Sequence, residues 1–253
     1  MFLAEPSPSQ GDLHFNLFGF PVRIHPLFWL TAVFLGSSDK DPLLVAMWVV
    51  AVLLCILLHE LGHAVVMEYF GFRPSIVLYG FGGMAIPHPG RYGARRPGPW
   101  GDMLIAFAGP ASGFILAAIL AFILHFLFGY KVLVFEPSWR DVSPLVIVPQ
   151  HLYVAMFLDD IFYISVWWGL VNLLPIYPLD GGLISQQVFF LNNPHDAVRQ
   201  SLIVSVIVGA LMTVLALWHW KDTQYWGDFY LVVFFAWLSY SNYTMLQSHG
   251  GWR

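Results

Sequence analysis

Charge is what this sequence has least of. Asp, Glu, Lys and Arg make up 10% of the 253 residues, where a water-soluble domain needs roughly a quarter to cover its surface. Cysteine is rarer still: Cys55 stands alone, so no disulfide within the chain holds the fold. Basic blocks are missing, and 11 Lys and Arg against 15 Asp and Glu give a formal net charge of -4. That leaves no surface for tracking phosphates, which excludes nucleic acid as a partner. Residues Met1 to Gln10 lack both a basic start and an apolar core, so they do not read as a cleavable signal peptide. Internal repeats and low-complexity tracts are absent as well.

What fills the chain is apolar. Hydrophobic residues make up 58% of it and the mean hydropathy is +0.68. Apolar runs extend from end to end and leave no polar block for a second domain, so the expectation is a single membrane domain over residues 1–253. A helix needs about 20 apolar residues to cross a bilayer. Leu43 to Phe70, Met103 to Tyr130, Ser201 to Trp220 and Phe229 to Leu246 approach or exceed that length without a lysine or arginine. Leu152 to Leu174 is long enough too, with Asp159 and Asp160 placed near an end or facing protein, because a lipid-exposed charge is costly. Pro26 to Gly36 crosses only by borrowing Val22 to Ile24 and tilting or thinning the bilayer. The expected fold is an all-α polytopic membrane protein of about six spans. Asp41 before Pro42 and Asn193 before Pro194 each predict a capped helix start.

Lys and Arg flanks stay in the cytoplasm. Six spans gather Arg23, Arg73, Arg91, Arg95, Arg96, Arg199 and Arg253 on one side, against Lys40, Lys131, Arg140 and Lys221 on the other. Both termini and the loop bearing Arg91, Arg95 and Arg96 are therefore expected inside. Between the second and third helices, Ser75 to Ile86 is rich in β-formers around Gly80-Phe81-Gly82-Gly83 and predicts a β-hairpin or re-entrant segment. Pro87 to Gly101, rich in Gly and Pro, reads as a surface loop.

Polar chemistry is concentrated in two places. His59-Glu60-Leu61-Gly62-His63 lies in the second apolar helix, where residues four apart share one face. Two imidazoles at that spacing can grip one zinc ion, and a catalytic zinc keeps three protein ligands and an open position. Glu60, beside the first histidine, can take a proton from a water whose pKa the metal lowers. Ionisable groups in a membrane helix are costly unless they serve function or meet a partner, which sets this motif apart from a chance match.

The third ligand is sought after the fourth span, in Asn172-Leu173-Leu174-Pro175-Ile176-Tyr177-Pro178-Leu179-Asp180-Gly181-Gly182. Asp180 precedes two glycines that let the backbone come close. Pro175 and Pro178 interrupt helical hydrogen bonding, which is tolerated at membrane depth only beside protein or a water cavity. The second and fourth helices run in the same direction, so both motifs are expected at the cytoplasmic face.

Together with Gly109-Pro110-Ala111-Ser112-Gly113 in the third helix, these two stretches resemble the three signatures of the site-2 protease family of intramembrane zinc metalloproteases. The resemblance implies one zinc per chain on His59, His63 and Asp180, with Glu60 as base and Asn172 holding the substrate backbone or its oxyanion. It implies hydrolysis of peptide bonds in or near a transmembrane segment of a membrane-protein substrate, by a multi-pass protein of the cell (inner) membrane. PDZ and CBS modules of many relatives fit neither in Lys131 to Gln150 nor after Leu246, which makes this a minimal member. The Ser75 to Ile86 segment is either an edge to which an extended substrate strand can add or a plain packing loop. The alternative is a metal or ion transporter using the same His/His/Asp site, with Asp159 and Asp160 on its path. Cys55 reads as a core residue and His25 as an interfacial hydrogen-bonding group.

Overall fold

The computed structural model describes residues 7–36, 41–80, 82–90, 97–127, 132–133, 145–146, 152–223 and 226–250. They fall into two compact units: Met1–Arg96 with Ala108–Gly169, and Pro97–Phe107 with Leu170–Arg253.

In the first unit, β1 (Leu13–Leu17) and β2 (Phe20–Ile24) form an antiparallel hairpin. Its two turn residues, Phe18 and Gly19, both have positive φ, 51° and 94°, as a two-residue hairpin turn requires. The short helix α1 (Pro26–Gly36) and the long helix α2 (Pro42–Tyr69) follow, then β3 (Ser75–Tyr79) and β4 (Gly82–Ile86). The strands make one four-stranded sheet in the order β1-β2-β3-β4, with β2 and β3 parallel and β3 and β4 antiparallel. One face of the sheet, carrying Val22, Ile24, Ile76 and Leu78, packs with Phe28 and Ala32 of α1 and with Ala51, Val52, Cys55 and Ile56 of α2. On α2 the buried positions Val52, Cys55, Ile56, His59, Glu60, His63 and Ala64 recur every three or four residues, so one helical stripe faces protein. Val50, Leu54 and Val65 are exposed. Their apolar side chains suit lipid.

Lipid gives apolar side chains no reason to prefer a protein interior, so membrane helices associate by close packing of small residues and by hydrogen bonds. The third helix, α3 (Pro99–Phe122), does both. An added Cβ at Gly62 of α2 would land on the Ala108 carbonyl and 3.0 Å from Ser112 Cβ, and one at Gly113 would come 2.9 Å from the Ser165 carbonyl. Ser112 Oγ donates to the carbonyls of Leu58 at 3.0 Å and of Gly109 at 2.6 Å. α3 continues as a π-turn over Ile123–Leu127, and two short strands, β5 (Val132–Leu133) and β6 (Leu145–Val146), pair before α4 (Leu152–Asn172). Asp159 and Asp160 are half-buried on α4.

The second unit holds α5 (Asp180–Asn192), α6 (Ala197–Thr223) and α7 (Trp226–Gly250). α6 packs against α5 and α7. Gly209 and Ser239 meet where α6 and α7 approach, and Ser239 Oγ donates to the Val206 carbonyl at 3.0 Å. Ile176, Phe235 and Leu238 form the buried centre of this unit.

Several expectations change. Among the described residues four helices are long and apolar enough to cross a membrane, Pro42–Tyr69, Pro99–Phe126, Tyr153–Asn172 and Ala197–Thr223, and the first and last of the six expected spans are not among them. Val22 to Ile24 lend nothing to α1, because they are the buried half of β2. The last predicted span is helical as α7, but Ser239, Ser241, Asn242 and Thr244 make its second half more polar. Asp41 caps α2 as anticipated, accepting from the Leu43 amide at 2.9 Å. Asn193 does not start a helix. Its side chain accepts from the His195 amide at 3.3 Å in a turn, and α6 begins at Ala197. Pro99 to Gly101 belong to α3, not to a loop. Arg91, Arg95 and Arg96 lie outside the described residues.

Candidate metal centre

Both histidines of the motif stand on the buried stripe of α2, His59 at 4% and His63 at 7% exposure, with Glu60 beside them at 4%. One helical turn stacks the two imidazoles edge to face, and their Nε2 atoms lie 3.2 Å apart. Two nitrogens bound at about 2.0–2.1 Å to a tetrahedral zinc stand roughly 3.3 Å from each other, so the helix alone sets the spacing of a shared ion.

Two glycines fit the surroundings to these side chains. A Cβ at Gly109 of α3 would sit on Nε2 of His63 and 2.7 Å from Nε2 of His59. The lack of a side chain there keeps open the space that both nitrogens face. Gly83 of β4 does the same for Glu60: a Cβ would fall 2.5 Å from Glu60 Cγ and 2.6 Å from Oε1. The carboxylate therefore lies directly under the strand.

Asp180 is the first residue of α5 and 8% exposed. A carboxylate in the first turn of a helix is favoured by the macrodipole. Gly181 and Gly182 fold tightly back on the preceding segment: Cβ atoms there would overlap the carbonyl of Leu173 and the amide of Tyr177. The two glycines anticipated from sequence thus serve close backbone approach. Asn172, 8% exposed, is the last residue of α4.

His59, His63 and Asp180 offer one donor atom each, all buried and all within 4.8 Å of one another. Two imidazoles and a carboxylate are a zinc donor set with room for a fourth ligand. With the cradle that a Cβ at Gly109 would fill, these residues fit one metal ion.

The other candidates take structural parts. Cys55 is 4% exposed and meets Ser165 Oγ at 3.5 Å and the Ile161 carbonyl at 3.6 Å on α4. His25 Nδ1 accepts from the Leu27 amide at 3.2 Å at the start of α1, and its own amide donates to the Leu78 carbonyl at 2.9 Å. The roles of Gly83 and Gly109 against individual side chains could not be read from sequence; the Gly80 to Gly83 run marked only a β-hairpin or re-entrant segment.

Residues 47–217, well over half of the chain, match the model of peptidase family M50. The chain is similar to a zinc metalloprotease of Methanocaldococcus jannaschii, at 25% identity over 80% of this chain and 52% of that protein. It is 26% identical to stage IV sporulation protein FB of Bacillus subtilis, over 74% of this chain and 56% of that one. The chain thus spans about half the length of these curated relatives. Its fold matches a solved site-2 protease from Methanocaldococcus jannaschii with a TM-score of 0.57, covering 93% of this chain and 95% of that one at 19% identity. None of these matches lends support to the transporter alternative. Carrying four apolar helices of membrane-spanning length and the family's sequence over residues 47–217, the chain is an integral membrane protein that belongs to peptidase family M50.

Proposed function

We propose that this chain is a zinc metalloendopeptidase that hydrolyses peptide bonds in or near transmembrane segments of membrane proteins. The proposal rests on the convergence of buried His59, His63 and Asp180 donors with a buried glutamate one residue from the first histidine, in a chain of family M50. His59, His63 and Asp180 are the ligands of one zinc ion. Bound there, zinc supplies a Lewis acid that polarises a carbonyl and lowers the pKa of water toward neutrality. Glu60 takes the proton of the attacking water and passes it to the departing amine as the C–N bond breaks. The products are one carboxylic acid and one amine, with one water consumed. Asn172, buried at the end of α4, donates its side-chain amide to the carbonyl oxygen.

A transmembrane substrate is helical, and its carbonyls are shielded within that helix, so it must unwind before attack. β4 is an edge of the sheet, and an extended peptide can pair with such an edge through main-chain hydrogen bonds. Gly83 sets that strand against Glu60, which supports bringing the scissile carbonyl to the base. The Arg91, Arg95 and Arg96 cluster supports a site toward the cytoplasm of the cell (inner) membrane.

Glu60→Gln tests the mechanism. The detergent-purified variant is expected to hold one zinc per chain and to lose cleavage, so that uncleaved membrane-protein stubs accumulate in cells that carry it. Wild-type cleavage by Glu60→Gln would overturn the assignment of the base.

A further inference from the structure

Two buried side chains outside every motif noted above, Ser205 and Asn242, bond the segment that leads into Asp180. Both polar backbone groups of Tyr177, three residues before it, are engaged by side chains rather than by backbone. The Tyr177 amide donates to Ser205 Oγ of α6 at 2.9 Å, and the Tyr177 carbonyl accepts from Asn242 Nδ2 of α7 at 2.6 Å. Each side chain is anchored in turn. Ser205 Oγ donates to the Ser201 carbonyl at 2.8 Å, and the second Nδ2 hydrogen of Asn242 goes to the Leu238 carbonyl at 2.8 Å. Ser205 is 0% and Asn242 1% exposed, so no bulk water competes for these bonds. Their strength in a water-excluded site is correspondingly greater.

The segment that they grip has little backbone bonding of its own. Pro175 and Pro178 on either side of Ile176 and Tyr177 have no N–H to give. The link onward to Asp180 is rigid, because Gly182 lies so close to the Tyr177 amide that a Cβ would overlap it, and the Leu179 amide donates to the Ile176 carbonyl at 2.8 Å. A shift of Tyr177 is therefore transmitted to the first turn of α5, where the carboxylate sits.

We propose that Ser205 and Asn242 are positioning residues that fix the Asp180 carboxylate for metal binding by clamping both backbone groups of Tyr177. This rests on the reading of Asp180 as a ligand. The ordinary alternative is that the two side chains only satisfy buried polar groups in a proline-broken segment.

Cobalt-loaded, detergent-purified full-length protein separates the two, because the visible bands of Co2+ respond to its ligand geometry. Ser205→Ala and Asn242→Leu are compared with Asp180→Ala and with Phe235→Leu, which opens space in the buried cluster around Ile176 and removes neither hydrogen bond to Tyr177. Both clamp variants are expected to move the bands toward those of Asp180→Ala and to speed zinc loss to a chelator by about 10-fold or more, the scale of effects seen when groups that orient ligands are removed. Phe235→Leu is expected to leave the bands in place even where it lowers the melting temperature. Unchanged bands in both clamp variants, or an equal shift in Phe235→Leu, would overturn the clamp. Should Asn242→Leu not fold, Ser205→Ala decides the matter, since it removes a single hydroxyl, which accepts from Tyr177 and donates to Ser201. Bands that stay unchanged in Asp180→Ala would instead overturn the ligand assignment.

Discussion

Gly109→Ala adds one carbon and two hydrogens to α3, and the backbone fixes where the carbon goes. It lands 2.7 Å from His59 Nε2 and on His63 Nε2, while ordinary van der Waals contact begins near 3.4 Å. The His59 ring must then retreat by at least about 0.7 Å, and a misplacement on the order of 1 Å at a reacting centre costs roughly 100-fold in rate. Helix propensity acts in the opposite sense, because alanine is favoured over glycine by about 1 kcal/mol in a helix. α3 itself should therefore not unravel, which separates a local effect from general unfolding. The assay is zinc affinity by chelator competition on detergent-purified protein, with circular dichroism and thermal melting as controls and cleavage of an unstructured reporter peptide as the functional readout. Expected are unchanged helicity, zinc affinity reduced about 10- to 100-fold, and cleavage reduced on the order of 100-fold. Zinc bound with wild-type affinity and full cleavage in Gly109→Ala would refute the claim that this glycine shapes the centre.

Gly83→Ala should split these properties differently. The three heavy atoms nearest its Cβ all belong to Glu60, so zinc content is expected to stay at one per chain while cleavage falls at least 10-fold, and parallel loss of metal and activity would count against the placement of the base. Asp12 gives a pH prediction. Its carboxylate accepts from the Ser9 hydroxyl at 2.6 Å and the Ser9 amide and Arg23 at 3.1 Å, and these contacts, the Ser9 hydroxyl first, hold its pKa down from 3.8 to about 2. A depressed carboxylate stabilises the fold above its ordinary pKa, so the tie between Asp12 and Arg23 should persist to below pH 3.8 and be lost as the pH falls through about 2. The carboxyl carbon shift of Asp12 in micelles reads this directly, Ser9→Ala should raise the midpoint, and a midpoint at 3.8 or above in the unaltered protein would contradict the geometry.

The three donors that the structure gathers, His59, His63 and Asp180, stood out in sequence because the signals that mark them are local. Two histidines four apart on an apolar helix fall on one face whatever surrounds them, and in this chain α2 buries both. Asp180 with its two glycines and the Ser75 to Ile86 hairpin were found in the same way, from short-range signals. The first two strands were missed. Leu13-His14-Phe15-Asn16-Leu17 alternates apolar and polar residues and is followed by Phe18-Gly19, a pattern that marks a hairpin, but the apolar run after Pro26 drew Val22 to Ile24 into a helix. The start of α6 was misplaced because Asn before Pro suits a turn as well as a cap. Ser205 and Asn242 could not be found from pattern at all. Their partner lies 28 and 65 residues away, and serine or asparagine in an apolar helix carries no signal of what it will meet.

The parallel pairing of β2 with β3 has a consequence for how the protein is assembled. Parallel neighbours must be joined by a crossover, and here the crossover consists of α1 and α2, so the helix that carries His59 and His63 is threaded between two strands that close on each other. The sheet cannot form until His59 and His63 have been synthesised and their helix laid down. Once formed, it links the residues before Pro26 through β3 and β4 to Glu60. The hairpin of β1 and β2 carries none of His59, Glu60 and His63, yet the strand that lies against Glu60 is seated on a sheet that this hairpin helps to complete.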